Sequence, residues 1–300
     1  MERAGLSGER WFMTNDMTDQ QQETRTARPV LVTSGTGKTG RRVVERLAAR
    51  GVPVRAGSRS GEVVFDWADE SGWEAALRGA DAAYIAYYPD LAAPGAPEAM
   101  AAFGRIARGC GVRRLVLLSG RGEPQALVAE EALREAAGNA ELTVVRSAFF
   151  AQNFSEGALL DGVLGGELVF PAGSTAEPFV DAGDLADVVV AALCGEDGAG
   201  QVHELTGPRL LTFAEAASEI ARAAGREVRY VAVTGPQYAA MLEEFGVPEA
   251  EAGFLAELFA TLLDGHNATV TEGVKQALER DPSSFTAFAA EAARNGAWDA

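Results

Sequence analysis

Residues 33–40 read TSGTGKTG. Closely spaced glycines beside a lysine and hydroxyls are the chemistry of a phosphate cradle. Glycine lets the backbone approach an anion, and helix amides with a nearby cation hold it. Two cradles share Gly-Lys-Thr. A P-loop for ATP needs GxxxxGK[ST], but placing Gly37-Lys38-Thr39 at its end puts Val32 where the first glycine belongs. A β-branched residue inside an apolar run does not suit that turn. The spacing Gly35-x-Gly37-x-x-Gly40, by contrast, is complete for GxGxxG. One glycine permits the tight turn, one admits the pyrophosphate, and one lets the following helix pack on the strand. Which dinucleotide it holds depends on the residues about 20 positions later, where an NAD site usually carries Asp or Glu for the ribose 2′-hydroxyl. Here the segment is Arg55-Ala56-Gly57-Ser58-Arg59, without an acid. Ser58 can hydrogen-bond a 2′-phosphate and Arg59 can fork onto it. Lys38, Arg41 and Arg42 add positive charge expected at the same edge, on a chain of net charge −17. The expected cofactor is NADP(H).

The turn needs a strand before it and a helix after it. Residues 29–33 (PVLVT) form a short apolar strand, and 39–50 carry helical spacing with Val43, Val44, Leu47 and Ala48 on one face, ended by Gly51. Strands expected at 52–56, 63–66, 82–87, 114–118 and 142–146 alternate with helices at 73–78, 97–110 and 125–137. This alternation predicts an α/β fold, a Rossmann doubly wound parallel sheet over residues 28–150. Later residues change rhythm. A helix is expected at 154–164, a strand at 167–170, a buried helix at 184–193 and a strand at 202–205. Then come a helix at 212–224 opened by a Thr212/Glu215 capping box, a strand at 228–233, and a mostly helical remainder. Residues 151–300 should return partly to the core and then form a smaller, mostly helical C-terminal substrate-binding cap. Residues 1–27 are polar and read as a flexible extension.

Ligands of open α/β sheets sit at the carboxyl ends of the strands. That rule makes Asp66 and Trp67 candidates for adenine contact, and Ala86, Tyr87 and Tyr88 candidates beside the nicotinamide ribose. Ser119 and Gly120 end the fifth strand. For the tyrosines, core packing is the equal alternative.

Composition excludes several classes. Apolar residues are 47% and charged residues 23% of the 300, as in a globular protein. The acidic balance opposes nucleic-acid binding, and no run is long and apolar enough for a membrane span. Cys110 and Cys194 lack CxxC spacing and are expected as small buried thiols in a reducing cytoplasm. With His203 and His266 far apart, no metal site is expected. The expected partner is a small-molecule substrate, with a homodimer left open.

Carbonyl reduction by short-chain dehydrogenases uses a Tyr-x-x-x-Lys pair to protonate the nascent alkoxide. The only two lysines are Lys38 and Lys275, and neither follows a tyrosine at that spacing. The segment 125–134 (QALVAEEALR) offers neither residue. The candidates left for chemistry are Ser119 and Tyr87. His203 reads as structural, and His266 as a loop residue that the cap could bring to substrate. Hydride transfer to a neutral ketone calls for a proton donor. An iminium ion needs none, because it is already positive.

The motifs GTGKT (35–39), SRSG (58–61), FDW (65–67), GVRRLVLLS (111–119), VRSAFFAQNFSE (145–156), PFVDAGDLADV (178–188), ELTGPRLLTF (204–213) and DPSSFTAFA (281–289) form an ordered series. In that order they resemble the NmrA-like, atypical branch of the short-chain dehydrogenase/reductase superfamily, and within it the ergot-alkaloid reductase (festuclavine synthase and agroclavine dehydrogenase) group. The resemblance implies a Rossmann domain with a C-terminal substrate domain, and NADPH-dependent reduction of a cyclic iminium. It implies that Gly35, Thr36, Gly37, Lys38 and Thr39, with Gly40, hold phosphates, that Ser58 and Arg59 hold the 2′-phosphate, and that Asp66-Trp67 lie along adenine. It further implies that Ser119, Phe149, Phe150 and Asn153 border nicotinamide and substrate. Two departures bear on fine geometry: Ser34 stands where the group usually has Gly, and Ser147 follows Arg146 where the group usually has Pro.

The leading expectation is an NADPH-dependent reductase of a cyclic imine, iminium or quinone-like acceptor, in secondary metabolism. The alternatives are a catalytically silent NADP(H)-sensing regulator and a cofactor-retaining isomerase or epimerase. Arg59→Ala should weaken NADPH binding by about 10–100-fold, the worth of a charge-assisted contact, and leave NADH binding nearly unchanged. Equal losses for the two nucleotides, measured by fluorescence titration, would remove the 2′-phosphate assignment.

Overall fold

The structure is a computed structural model, and it describes residues 28–196 and 200–299; the expected N-terminal extension lies outside them. The strands are β1 (Val30–Val32), β2 (Val54–Ser58), β3 (Val63–Val64), β4 (Ala82–Ile85), β5 (Arg114–Gly120), β6 (Glu141–Ser147), β7 (Glu167–Phe170), β8 (Ala176–Glu177), β9 (Val202–Leu205), β10 (Leu211–Thr212) and β11 (Arg229–Ala232). The helices are α1 (Lys38–Ala49), α2 (Trp73–Leu77), α3 (Ala96–Gly109), α4 (Pro124–Ala137), α5 (Asn153–Glu156), α6 (Leu160–Gly165), α7 (Ala182–Cys194), α8 (Phe213–Ala224), α9 (Gly235–Glu244), α10 (Glu249–Leu262), α11 (Gly273–Leu278) and α12 (Phe285–Arg294).

Seven strands form one sheet in the order β3-β2-β1-β4-β5-β6-β9, and every pair in it is parallel. The first six follow the order of a dinucleotide-binding sheet. The apolar strands are buried on both faces because helices cover both. Alternate residues divide the core. Leu31, Ile85, Leu115 and Leu117 pack with Met100 and Phe103 beneath α3 and α4. Val32, Tyr84, Val116 and Val145 face the other way, onto Val43 and Leu47 of α1 and Val188 and Val189 of α7. A third core, rich in phenylalanine, joins Phe154, Phe170, Phe179, Phe213 and Phe285 in the C-terminal part.

Several expectations are corrected. The helix expected at 154–164 is two pieces, α5 and α6, with Gly157 extended at φ −136°. A Cβ there would lie 2.9 Å from Lys38 Nζ. The third strand stops at Val64, short of Asp66. Two indoles draw the chain out of the sheet: Trp73 Nε1 donates to Asp66 O at 2.7 Å and Trp67 Nε1 to Ala86 O at 2.8 Å. The strands β8 and β10, which pair antiparallel, have no counterpart in the sequence reading. Cys110 and Cys194 are half-buried rather than buried. The capping box of Thr212 and Glu215 is present, with a second at Thr234 and Gln237.

The glycine turn is set by contact. A Cβ on Gly40 would lie 2.2 Å from Ser34 O, and one on Gly35 2.9 Å from Ala56 Cα, whereas one on Gly37 would be 3.1 Å from its nearest neighbour. Gly40→Ala should therefore cost about 1–3 kcal/mol through overpacking, and Gly37→Ala clearly less. Thermal unfolding reads the difference, and equal Tm values for the two variants would contradict it.

Candidate active site

Ser34 takes the left-handed conformation, φ 51°, that its turn position demands. Its hydroxyl donates to Ala86 O at 3.0 Å, so the serine that replaces glycine is held by a bond glycine would lack. Gly37 N donates to Ser34 O at 2.8 Å and Gly35 N to Gly57 O at 2.7 Å. Gly37 caps α1 without a side-chain bond, and no acid lies in the first turn. The first amides of a helix have no intrahelical acceptor. An uncapped, acid-free helix start whose close glycines leave room for an anion fits a pyrophosphate.

The side chains around the turn need corrections. Thr39 turns inward, where its Oγ1 accepts from Tyr84 OH at 3.0 Å, so only its backbone amide is offered to a phosphate. Arg41 and Arg42 do not join Arg59. Both reach across to Glu156 of α5, Arg42 at 2.6 Å, because they leave α1 on the side that faces α5. Arg59 itself is exposed, with no ion-pair partner among the described residues, and Ser58 is buried beside it. Lys38 donates to Asn153 Oδ1 and stands 5.9 Å over the Phe150 ring. Burial lowers its pKa to about 8, although Glu156 opposes the shift. The turn and the candidate substrate residues Phe150 and Asn153 thus meet at one ammonium group.

A cavity of about 370 Å³ opens at the carboxyl ends of β4, β5 and β6. It brings together Tyr87, Ser119, Gly120, Phe149, Phe150 and Asn153. The apolar side of α10, with Phe254, Leu255, Leu258 and Phe259, forms its roof. Trp67 packs edge-on against Tyr87 at 5.1 Å, which links the adenine-side candidate to the cavity wall. Burial raises the Tyr87 phenol, and Glu98 adds to the shift. Two expected residues stay outside. Tyr88 is 67% exposed, in the bend that follows β4. His266 bonds Asp264 Oδ1 through Nδ1 at 2.5 Å and lies 3.1 Å from Gly122 O through Nε2. Its neighbour Asn267 lines the cavity instead, donating to Arg121 O at 3.1 Å.

Ser119 is present, but its proton is committed. Its hydroxyl donates to Glu130 Oε1 at 2.6 Å, and Arg146 holds both oxygens of the same carboxylate at 3.0 and 2.7 Å. Two acids that the sequence reading missed line the cavity instead. Glu123 is 7% and Glu177 3% exposed, and Glu123 Oε2 and Glu177 Oε1 meet no hydrogen-bond donor. Burial, then the neighbouring carboxyl of Asp90, pushes Glu123 up to about 9. Burial pushes Glu177 up to about 7 against the pull of Arg121 and His266. Glu123 stands just before Pro124, the first residue of α4 and outside the segment 125–134. Proline at a helix start marks the preceding residue as the cap, and that is the signal in the sequence that points to Glu123.

A doubly wound sheet with an uncapped glycine turn, and a cavity beside it at the strand ends, defines a dinucleotide-binding α/β protein. The chain is 32% identical over 274 residues to the uncharacterized oxidoreductase YesF of Bacillus subtilis, covering 87% of this chain and 94% of that one. It is 31% identical over 288 residues to the NAD(P)H azoreductase of Xenophilus azovorans, covering 89% and 99%. With the agroclavine dehydrogenase of Claviceps fusiformis it shares 28% over 284 residues, covering 87% and 96%. The NADPH complex of a quinone oxidoreductase from Escherichia coli has the same fold, with a TM-score of 0.69 at 18% identity over 87% of this chain and 99% of that one. No family model matches the chain. The chain belongs to the NmrA-like, atypical branch of the short-chain dehydrogenase/reductase superfamily, a family of oxidoreductases. Among the described residues no helix is long and apolar enough to cross a membrane.

Glu177 gives a test of the cavity's electrostatics. The folded protein keeps its proton to about pH 7, and the unfolded chain releases it near 4.5. Its contribution to stability is therefore full below 4.5 and is lost as pH rises through 7. Glu177→Gln should remove up to about 1.4 kcal/mol per pH unit of that slope. Denaturant unfolding of both proteins across the window reads it, and parallel profiles would contradict the burial of an unpaired acid.

Proposed function

We propose that the protein is an NADPH-dependent reductase that delivers hydride to a small, apolar organic acceptor, a cyclic imine or iminium or a quinone-like compound. The cavity carries this reading: it adjoins the glycine turn, lies at the strand ends where the nicotinamide of a doubly wound sheet falls, and is roofed by apolar side chains. A silent sensor of NADP(H) needs no such chamber. The relatives support the coarser part, since among their names are an NAD(P)H azoreductase and an agroclavine dehydrogenase. A role in secondary metabolism and a cytoplasmic location belong to the same reading.

Gly35, Gly37 and Gly40 would admit the pyrophosphate, and the amides of Lys38, Thr39 and Gly40 with the Lys38 ammonium would hold it. Thr36 is exposed at the rim of the turn. Ser58 and Arg59 would take the 2′-phosphate, and Asp66 and Trp67 would border adenine. Ala86, Tyr87, Ser119, Gly120 and Phe149 would border the nicotinamide, which supplies hydride when bound. Phe150, Asn153 and the α10 side chains would orient the acceptor and exclude water.

The test is NADPH oxidation, followed by absorbance, across cyclic imines, quinones, enones and azo compounds, with NADH in parallel. Turnover of at least one class with a preference for NADPH is the expected outcome. Tight NADPH binding without turnover on any class would favour the sensor, and a preference for NADH would overturn the cofactor reading.

A further inference from the structure

We propose that Glu123 is the proton donor of this site for neutral acceptors, the role left vacant by the missing Tyr-x-x-x-Lys pair, and that Asp90 returns its proton from solvent. The proposal rests on the reductase reading above.

Four observations carry it. Glu123 lines the cavity and is 7% exposed, and its Oε2 meets no donor. Its carboxyl is folded onto Gly120 at the end of β5, where a Cβ would lie 2.0 Å from Oε1. The acid therefore sits at the strand end where reacting atoms belong. It caps α4 by position, but its side chain makes no capping bond and so is not engaged by the helix. Lastly, it is set against the carboxyl of Asp90. A second carboxyl nearby opposes ionisation of a buried acid. Burial first, and then Asp90, keeps the proton on Glu123, which stays an acid to about pH 9. Asp90 is half-buried and accepts from Ala92 N at 2.7 Å, and it connects the pair to solvent.

The charges around Glu123 leave it as the available acid. Glu130 of α4 is occupied by Ser119 and Arg146. Arg121, between β5 and α4, is spent on Asn267 O at 2.8 Å and Thr269 Oγ1 at 2.6 Å. Glu177 of β8 and Asn267 line the same cavity, and His266 is held by Asp264. No cation hydrogen-bonds Glu123 among the described residues. A bound, reduced nicotinamide would supply hydride to one atom of a C=O, C=N or N=N bond, whose π pair would move to the other atom. The O–H bond of Glu123 breaks, its electron pair stays on the carboxylate, and a new O–H or N–H bond forms at that other atom. The acceptor gains one hydride and one proton, and Glu123 is reprotonated by water through Asp90.

The experiment uses Glu123→Gln and Asp90→Asn in the full chain, with two acceptors: a quinone, which needs a proton, and a triarylmethyl cation, which hydride alone completes. Glu123→Gln should lower kcat on the quinone by about 100-fold or more while leaving the cation within about threefold, since general acid catalysis is worth about 10²–10⁴ and the neutral acid and the amide carry the same charge. The alkaline limb near pH 9 should vanish in Glu123→Gln. In Asp90→Asn it should move to lower pH, because Glu123 ionises sooner without its neighbour. Independently of turnover, infrared spectroscopy should find a protonated carboxylic acid at neutral pH that Glu123→Gln removes. Unchanged quinone reduction, equal losses on both acceptors, or no such infrared band each overturns the proposal. A wild-type protein that reduces neither acceptor yet shows the band fails the reductase reading, and the proposal falls with it.

Discussion

The approach of Gly40 to the carbonyl of Ser34 sets the position of α1, and much of the molecule follows from it. With no side chain between them, the first turn of α1 rests on the end of β1. From there α1 reaches α7 through Val43 and Leu47, and the two helices together cover one face of the sheet. The same contact leaves the first amides of α1 uncapped at the mouth of the turn. Packing and anion binding therefore impose one requirement on one glycine. Ala86 O reinforces this arrangement by accepting from both Ser34 Oγ and Trp67 Nε1. Three chain segments that would border a dinucleotide are tied to a single acceptor.

The cavity is governed by a different constraint, the cost of burying polar groups without partners. The apolar roof supplied by α10 and the floor at the strand ends leave Glu123 and Glu177 little contact with water. Each responds by holding its proton above the ordinary carboxyl range. An acidic protein has many carboxylates, yet these two acquire a distinct chemistry because the fold takes them out of solvent and leaves an oxygen of each without a hydrogen-bond donor. Glu130 shows the opposite outcome. It is as deeply buried but carries Arg146 and Ser119 on its oxygens.

The fold was largely legible because its signals are local. The parallel sheet, the GxGxxG turn, the buried helix α7 and the Thr212 capping box are readable from periodicity and spacing alone, and each stands in the structure. The glycine spacing also located the turn that adjoins the cavity, and Tyr87, Ser119, Phe149, Phe150 and Asn153 do meet there. What escaped depends on contacts far apart in sequence. Arg41 and Arg42 read as free charge until Glu156 is brought to them. Ser119 reads as a free hydroxyl until Glu130 claims its proton. Glu123 reads as one surface acid among 43 acidic residues, since neither the roof of α10 nor the nearby Asp90 carboxyl can be seen from the segment around it. Gly157 is extended between α5 and α6, where Lys38 and Asn153 leave little room for a side chain.

The last strand of the large sheet, β9, comes from the second half of the chain, as does α7, which covers α1. During synthesis the first six strands therefore emerge before the pieces that close their edge and one face. Until residue 205 has been made, β6 lacks its outer neighbour, and until residue 194 α1, already lying on the sheet, lacks the helix that packs beside it. The dinucleotide half thus shares its sheet edge and one face with elements of the second half of the chain, contacts of long sequence separation of the kind that slow folding in general.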